Sequence, residues 1–214
     1  MVSFFAPYPI KCQFRFHNKI MTKERSDKLL KVLSQRQANL AVVLENVNDP
    51  RNITAVMRTC EAVGIQNIYI LNTKIAKLER FGYKSGSSST KWLTIHQFDS
   101  VGACFKALRE NFEVILTTHL SSSSIGLYSI DFTKSIAVVF GNEHSGVSDE
   151  ANALADGNFI IPQAGIIQSL NISVACAVTI YEAFRQKNIA GQYKQSAMHE
   201  TEMQQLKTDW GFDK

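Results

Sequence analysis

The chain has 214 residues, of which 45% are hydrophobic and 20% charged, as expected for a soluble globular protein with one domain of ordinary size. No apolar run approaches the ~20 residues of a membrane-spanning helix, and four scattered cysteines without a Cys-x-x-Cys pair argue against a disulfide framework and a zinc site. The net charge of +4 is uneven, because residues 1–40 hold eight basic and two acidic side chains. This basic arm favours a polyanionic partner, although a solvated helix face explains the charge equally well.

The amino-terminal segment lacks the features of a secretory signal. It has no basic stretch before its aromatic residues, two prolines (Pro7 and Pro9) interrupt its apolar run, and no small-residue cleavage site follows. We therefore expect a cytoplasmic protein with reduced thiols, with Cys60 and Cys176 filling core space on helices.

The predicted elements alternate between helices and strands. A charged surface helix is expected over Thr22–Gln37, followed by a strand at Leu40–Leu44. The next helix has both ends encoded, because Asp49 is a good N-cap, Pro50 suits the first helical position and Gly64 is a good stop. The later strand-like runs are NIYIL, LTIHQF, VILTT, SIAVVF and NFIIP, with helices at 99–111, at SDEANALA and from Asn171 onward. This alternation predicts an α/β fold with a parallel sheet covered on both faces. After Asn188 the composition turns polar, and helical spacing of Met203, Leu206 and Trp210 indicates that the tail docks on the body.

The helix after Asp49 carries two polar side chains of interest. Ile53 belongs to its apolar stripe, and Arg58 lies about 140° around the helix from it, which leaves the arginine free for other work. A solvated or salt-bridged arginine is the commoner situation. Asn52, in the first turn, is equally compatible with helix capping and with site chemistry.

The motif FGNEHSG (140–146) follows a predicted strand, at the sheet edge where open α/β folds bind ligands. Gly141 and Gly146 permit tight turns, but neither a Gly-x-Gly-x-x-Gly nor a P-loop pattern occurs in the chain. Glu143 and Asp149 are a possible acid/base pair, although Asp149 is better explained by the start of a helix.

The stretch IIPQAGIIQSLNISVACAVTIYEA (160–183) reads as a strand, a turn and a long apolar helix. Ser169 or Asn171 suffices to cap this helix, so the other remains a spare polar group at a helix amino terminus.

Three motifs in this order resemble the SpoU family of RNA 2′-O-ribose methyltransferases, within the SPOUT superfamily. They are the N-x-x-x-x-x-R of PRNITAVMRTCEAVG, the G-x-E-x-x-G of FGNEHSG, and the IP-x-x-G-x-x-x-SLN-x-SVA run with its closing YEA. The stretches SQRQANLAVVLENV, THLSSSSIGLYSIDFT and YEAFRQKNIAGQY are similar to the tRNA guanosine ribose methyltransferase (TrmH) group, so the resemblance covers about 25–193. Three independent motifs in family order make a chance match improbable.

The resemblance implies a deep carboxyl-terminal trefoil knot, S-adenosyl-L-methionine as cofactor and a homodimer with its active site at the subunit interface. General topology rules argue against a knot, so this expectation comes from the family alone. The residues at the family's cofactor positions are Thr118, Gly141, Ile161, Ser169 and Leu170. No metal is implied.

Arg58 matches the family's catalytic arginine, which either takes the proton of the ribose 2′-hydroxyl or stabilises the developing alkoxide and adjacent phosphate. The resemblance further implies that Asn52 and Asn171 position Arg58 and the ribose, that Ser169 helps to organise the pocket, and that Glu143 orients the loop or Arg58. The implied reaction is 2′-O-methylation of the D-loop guanosine of tRNA, position 18. Alternatives are a ribosomal RNA ribose methyltransferase and an RNA-binding homologue without catalysis.

The expected RNA contacts lie on the basic arm and beside the serine-rich loop, at Lys11, Arg15, Lys19, Arg25, Lys84 and Lys91. Departures from the family pattern occur at His144 and Ser145, where relatives often have a basic residue, and at Gln163, where Met is common. We expect an amino-terminal extension at 1–21, a methyltransferase domain at 22–190 that begins with a basic helix at 22–38, and a tail at 191–214.

Overall fold

The computed structural model describes residues 21–76, 89–167, 169–194 and 196–212. In these ranges helices are interspersed among the strands, as predicted. The strands are β1 (Gln37–Glu45), β2 (Ile65–Leu71), β3 (Thr94–Phe98), β4 (Val114–Thr118), β5 (Ile125–Gly126), β6 (Ile136–Phe140) and β7 (Gly157–Ile160). The helices are α1 (Lys23–Leu33), α2 (Pro50–Ala62), α3 (Val101–Arg109), α4 (Asp149–Leu154), α5 (Ile172–Ile189) and α6 (Glu200–Trp210).

The seven strands form one sheet in the order β3-β2-β1-β6-β4-β7-β5, and the paired strands are parallel. Strand β6 is buried along its whole length, as expected for a continuous apolar run in a sheet with both faces covered. The two central strands end at the same level, because Leu44 near the end of β1 pairs with Phe140 at the end of β6. The carboxyl ends of β1, β6, β4 and β7 therefore lie side by side.

Each face of the sheet has its own apolar cluster. One contains residues of α2 and α5, including the fully buried Cys60 and Cys176, which fill core space as predicted. The other contains residues of α3 and α4, such as Phe105 and Ala151. The sequence prediction of a covered parallel sheet is thus confirmed.

Helix α2 has the ends that its sequence specifies. The Asp49 side chain accepts a hydrogen bond from the backbone of Arg51, and Pro50 occupies the first turn. Gly64, just past the helix, has φ +82°, a conformation that favours glycine because it has no Cβ.

Helices α1 and α6 form a third apolar cluster, in which Leu29 and Leu33 meet Leu206 and Trp210. The Trp210 ring packs edge-on against Trp92, with ring centroids 5.1 Å apart. The polar tail therefore docks through its apolar residues.

The expected basic helix at 22–38 is too long. Helix α1 ends at Leu33, and β1 already begins at Gln37. Arg36, one of the eight basic residues of the arm, is fully buried: its guanidinium lies 5.3 Å from the Trp210 ring centroid and 3.4 Å from Glu61. Burial lowers the pKa of Arg36, and Glu61 opposes that shift. This arginine is structural and is not available to a polyanion.

In the described ranges, no helix has the length and apolar character needed to cross a bilayer.

Candidate active site

A cavity of about 500 Å³ opens at the carboxyl edge of the sheet. Three chain segments form its wall: the turn after β4, the loop after β6, and the stretch between β7 and α5. All five residues at the expected cofactor positions line it, namely Thr118, Gly141, Ile161, Ser169 and Leu170. The structure therefore brings together residues from three separate stretches of the sequence.

The loop after β6 is shaped by Asn142 and two glycines. The backbone groups of Asn142 and Gly146 pair in both directions, at 3.1 and 2.8 Å. Gly146 has φ +67°, and a Cβ on Gly141 would lie 2.0 Å from the Gly146 carbonyl carbon. A side chain at position 141 would thus force the loop open, which explains why the motif needs glycine there.

The turn after β4 is held by serines and by Asn158 of β7. The hydroxyls of Ser121 and Ser124 both approach Asn158 Oδ1, and Ser124 Oγ also donates to the His119 carbonyl at 2.8 Å. These bonds fix the turn that presents His119 and Leu120 to the cavity. Asn158 had no role in the sequence prediction, although a polar residue inside an apolar strand is a usable signal.

A chain of hydrogen bonds joins three of the five catalytic candidates, and one of these three, Glu143, lines the cavity. Asn171 Nδ2 donates to Asn52 Oδ1 at 3.2 Å, and Asn52 Nδ2 donates to Glu143 Oε1 at 2.6 Å. Asn171 Oδ1 in turn accepts from the backbone and hydroxyl of Ser173. Three residues from three motifs are therefore one connected unit, and each amide has a defined orientation.

The residues of the SLN stretch have two roles, capping α5 and lining the cavity. Asn171 is the N-cap of α5 and also donates a hydrogen bond to Asn52, so it both caps the helix and belongs to the candidate site. Ser169 and Leu170 line the cavity, and Leu170 is 38% exposed although it is apolar. The cap is Asn171, and Ser169 is the spare polar group.

Arg58 lies apart from this unit. It is exposed on the outer face of α2, does not line the cavity, and forms no hydrogen bond or ion pair in the described part of the chain. It follows Asn52 by six residues, about 9 Å along the helix axis. Within one chain, Asn52 and Glu143 bond to each other and not to Arg58.

The expected RNA contacts are only partly described. Arg25 is exposed on α1, and Lys91 lies with its Nζ 4.8 Å from the Trp92 ring centroid. Lys11, Arg15, Lys19 and Lys84 lie outside the described residues. Among the residues that are described, no group of three His, Cys, Asp or Glu side chains could hold a metal ion.

Comparison with known proteins identifies the family. The model of the SpoU rRNA Methylase family matches residues 39–181. A tRNA (guanosine(18)-2′-O)-methyltransferase of Thermus thermophilus is 39% identical over 189 residues, which cover 88% of this chain and 96% of that protein.

Solved structures agree with this match. The crystal structure of the Aquifex aeolicus TrmH/SpoU tRNA modifying enzyme superposes with a TM-score of 0.81 and 34% identity, covering 89% of this chain and 96% of that chain. An AdoMet-bound rRNA methyltransferase from Sinorhizobium meliloti gives a TM-score of 0.62 and 26% identity, covering 73% of this chain and 59% of that chain. The cavity thus lies in a chain of the expected fold and motif set, and this protein belongs to the SpoU methylase family.

Proposed function

We propose that this protein is an S-adenosyl-L-methionine-dependent tRNA (guanosine-18) 2′-O-methyltransferase. The observation that carries the proposal is the hydrogen-bonded unit of Asn171, Asn52 and Glu143, which links all three family motifs and of which Glu143 lines the cavity. The Thermus relative, aligned over 96% of its length, bears this activity in its name. A tRNA substrate and an action in the cytoplasm follow from the same relationship.

The residues of the cavity fit S-adenosyl-L-methionine. A volume of about 500 Å³ lies within the ~300–1,000 Å³ that is usual for small-ligand sites. Ile161, Ile167 and Leu170 offer apolar surface to a purine ring and a thioether chain, while the loop backbones offer amide groups to polar substituents. When bound, this cofactor supplies a methyl group on a positively charged sulfur.

The bonded unit of Asn52, Glu143 and Asn171 serves to position the reacting groups. In-line methyl transfer requires the acceptor oxygen, methyl carbon and sulfur to be nearly collinear, so orientation supplies much of the rate acceleration. Asn171 and Asn52 fix each other through one amide pair, and the carboxylate of Glu143 holds the far end. Ser169, at the cavity wall, offers a hydroxyl to the ribose or cofactor.

Arg58 assists the 2′-oxygen. A guanidinium holds its protons strongly, so stabilising the developing alkoxide or holding the adjacent phosphate is physically easier for it than acting as a base. Arg58 is exposed and does not line the cavity of its own chain. This placement supports a homodimer in which Arg58 of one protomer completes the partner's cavity.

Mixing two inactive variants tests this arrangement. Arg58→Ala retains its cavity, and Gly141→Ala retains its arginine. In a symmetric dimer whose site is shared, the mixed dimer has one intact site, so an equal mixture recovers about a quarter of wild-type activity after subunit exchange. A site built within one chain recovers none.

The remaining features of the proposal come from the family. We expect the carboxyl-terminal segment, including the stretch from β7 to α5, to form the trefoil knot. We also propose the methyltransferase domain at 22–190, flanked by the extension at 1–21 and the tail at 191–214. The exposed Arg25 and the half-buried Lys91, together with Lys11, Arg15, Lys19 and Lys84, are proposed RNA backbone contacts.

Ribosomal RNA is the second candidate substrate, since the family model and the Sinorhizobium structure carry that name. Transfer of labelled methyl groups to unmodified tRNA transcripts and to ribosomal RNA fragments separates the two. Incorporation into tRNA alone supports the proposal, and incorporation into ribosomal RNA alone refutes it. Measurable cofactor binding without transfer to either would favour an inactive RNA-binding homologue.

A further inference from the structure

Glu45, the last residue of β1, and Asn46, which follows it, bind the two ends of the cavity loop after β6. At the start of the loop, Asn142 Nδ2 donates to the Asn46 carbonyl at 2.9 Å. At its end, the backbone N–H of Ser148 donates to Glu45 Oε2 at 2.9 Å. Glu143 lies between these two attachment points. Two consecutive residues thus anchor a loop that is more than 90 positions away in sequence.

Asn46 adopts an unusual backbone conformation in order to make this contact. Its φ is +52°, a region in which residues other than glycine are uncommon. Its side chain is fully engaged: Oδ1 accepts from the backbones of Thr73 and Lys74 at 2.9 Å, and Nδ2 donates to the Thr73 hydroxyl at 3.0 Å. The side chain holds the conformation, and the conformation presents the carbonyl to Asn142.

Asn142 uses every polar group that it has. Its backbone pairs with Gly146, and its Oδ1 accepts from the backbones of His144 and Ser145 at 2.8 and 3.4 Å. Its Nδ2 makes the bond to Asn46. The oxygen of the side chain therefore shapes the turn, and the nitrogen attaches the turn to the sheet.

Glu45 is the second attachment. It is 1% exposed, and Ser148, whose backbone it holds, is the N-cap of α4. Only one carboxylate oxygen is used, because Oε1 has no hydrogen-bond partner in the described part of the chain. The bond to Ser148 thus keeps the far end of the loop against β1.

We propose that Asn46, Asn142 and Glu45 are positioning residues for methyl transfer. They act through the loop: they hold the Glu143 carboxylate against Asn52 and keep Gly141 and Gly146 in the cavity wall. The inference rests on the proposed function. It adds a requirement that none of the three family motifs states, since Glu45 and Asn46 precede the first motif.

Asn142→Asp separates the two roles of Asn142. The carboxylate keeps an acceptor for His144 and Ser145, so the turn persists, but it has no donor for the Asn46 carbonyl. We expect kcat to fall about 10- to 100-fold, as for a misplacement of ~1 Å at a reacting centre. We also expect the cofactor Kd to rise several-fold, while the KM for tRNA changes less than about twofold, because the loop lines the cofactor cavity.

Two further variants supply the controls. His144→Ala removes an exposed side chain from the same loop and leaves its backbone bonds, so kcat and cofactor Kd stay at wild-type values. Glu45→Gln keeps an acceptor for Ser148 and retains most activity, whereas Glu45→Ala loses it. Recovery by the conservative variant keeps the test decisive if Asn142→Asp is poorly folded.

The thermal midpoint of each variant separates positioning from stability. A merely structural role lowers this midpoint and leaves kcat unchanged well below it. The inference is overturned if wild-type enzyme methylates tRNA while Asn142→Asp retains its kcat and cofactor Kd, or if Glu45→Gln is as inactive as Glu45→Ala. If the wild type itself transfers no methyl group, the proposed function has failed, and the variants then differ only in cofactor binding.

Discussion

The buried side chain of Lys187 should make the unfolding free energy rise with pH in the alkaline range. It is fully buried in α5, and its Nζ donates to Asn39 Oδ1 and Gln192 Oε1 at 3.1 Å and to the Lys134 carbonyl at 3.4 Å. None of these partners is a carboxylate. Burial lowers the pKa of Lys187 from 10.5 to about 8, although the charge of Asp131 opposes the shift.

The sign and size of the effect follow from linkage. Below pH 8 the lysine is protonated in both the folded and the unfolded chain, so the folded state carries the whole cost of a buried charge. Between pH 8 and 10.5 the unfolded chain binds more protons, so stability rises with pH. A pKa difference of one corresponds to about 1.36 kcal/mol, so the difference of about 2.5 lowers the unfolding free energy at low pH by about 3 kcal/mol. About 2.5 kcal/mol of this unfolding free energy is regained between pH 7 and pH 10.

Urea unfolding of wild type and Lys187→Met at several pH values between 7 and 10 measures this term. Methionine has a similar length and cannot titrate, so the difference between the two unfolding free energies isolates the lysine. Lys106→Met, at an exposed site on α3, controls for the loss of a positive charge. If the difference between wild type and Lys187→Met stays constant from pH 7 to pH 10, the reasoning about the buried ammonium is wrong.

Three other changes give sharp expectations. Gly141→Ala places a Cβ 2.0 Å from the Gly146 carbonyl carbon, so titration calorimetry should show that cofactor affinity is reduced about 100-fold or more. The control is Gly102→Ala, whose Cβ would have its nearest neighbour at 4.0 Å and which should bind the cofactor as the wild type does. Trp210 is 2% exposed, so Trp210→Ala should lower the unfolding free energy measured in urea by about 3–5 kcal/mol. The same substitution should make α6 accessible to protease, and an unchanged digestion pattern would contradict the docking of the tail. Burial lowers the pKa of His96 to about 4, so between pH 6.5 and pH 4 the unfolded chain binds more protons than the folded chain, and the unfolding free energy falls as pH falls. His96→Phe should make the unfolding free energy less dependent on pH in this range, and parallel curves for the two proteins would contradict this prediction.

Local sequence patterns predicted most of the elements because each has a physical cause within a few residues. The ends of α2 are an example, since Asp49, Pro50 and Gly64 act on their own neighbours. Arg36 shows where the patterns fail. An arginine in a stretch rich in lysine and arginine is expected to be solvated. Arg36 is buried instead, by Glu61 and Trp210, which lie 25 or more positions from it in the sequence.

The candidate site was predicted as a set of residues and not as a geometry. The bonds from Asn52 to Glu143 and to Asn171 span 91 and 119 positions, and no local pattern encodes them. Asn171 was one of two candidate caps, and its bond to Asn52 depends on how α2 packs against α5. Asn46 was missed because an asparagine just after a strand resembles an ordinary loop residue, and only the structure shows that its carbonyl accepts a hydrogen bond from Asn142.

Mapping the methylated nucleotide in an unmodified tRNA transcript is the most direct measurement. Purified wild-type protein and Arg58→Ala are each incubated with labelled S-adenosyl-L-methionine, and the product is digested and analysed by mass spectrometry. We predict a single 2′-O-methylguanosine at position 18 with the wild type, none with Arg58→Ala, and none in a transcript with adenosine at that position. A methyl group at another nucleotide, on a base instead of a ribose, or undiminished in Arg58→Ala would contradict the assignment.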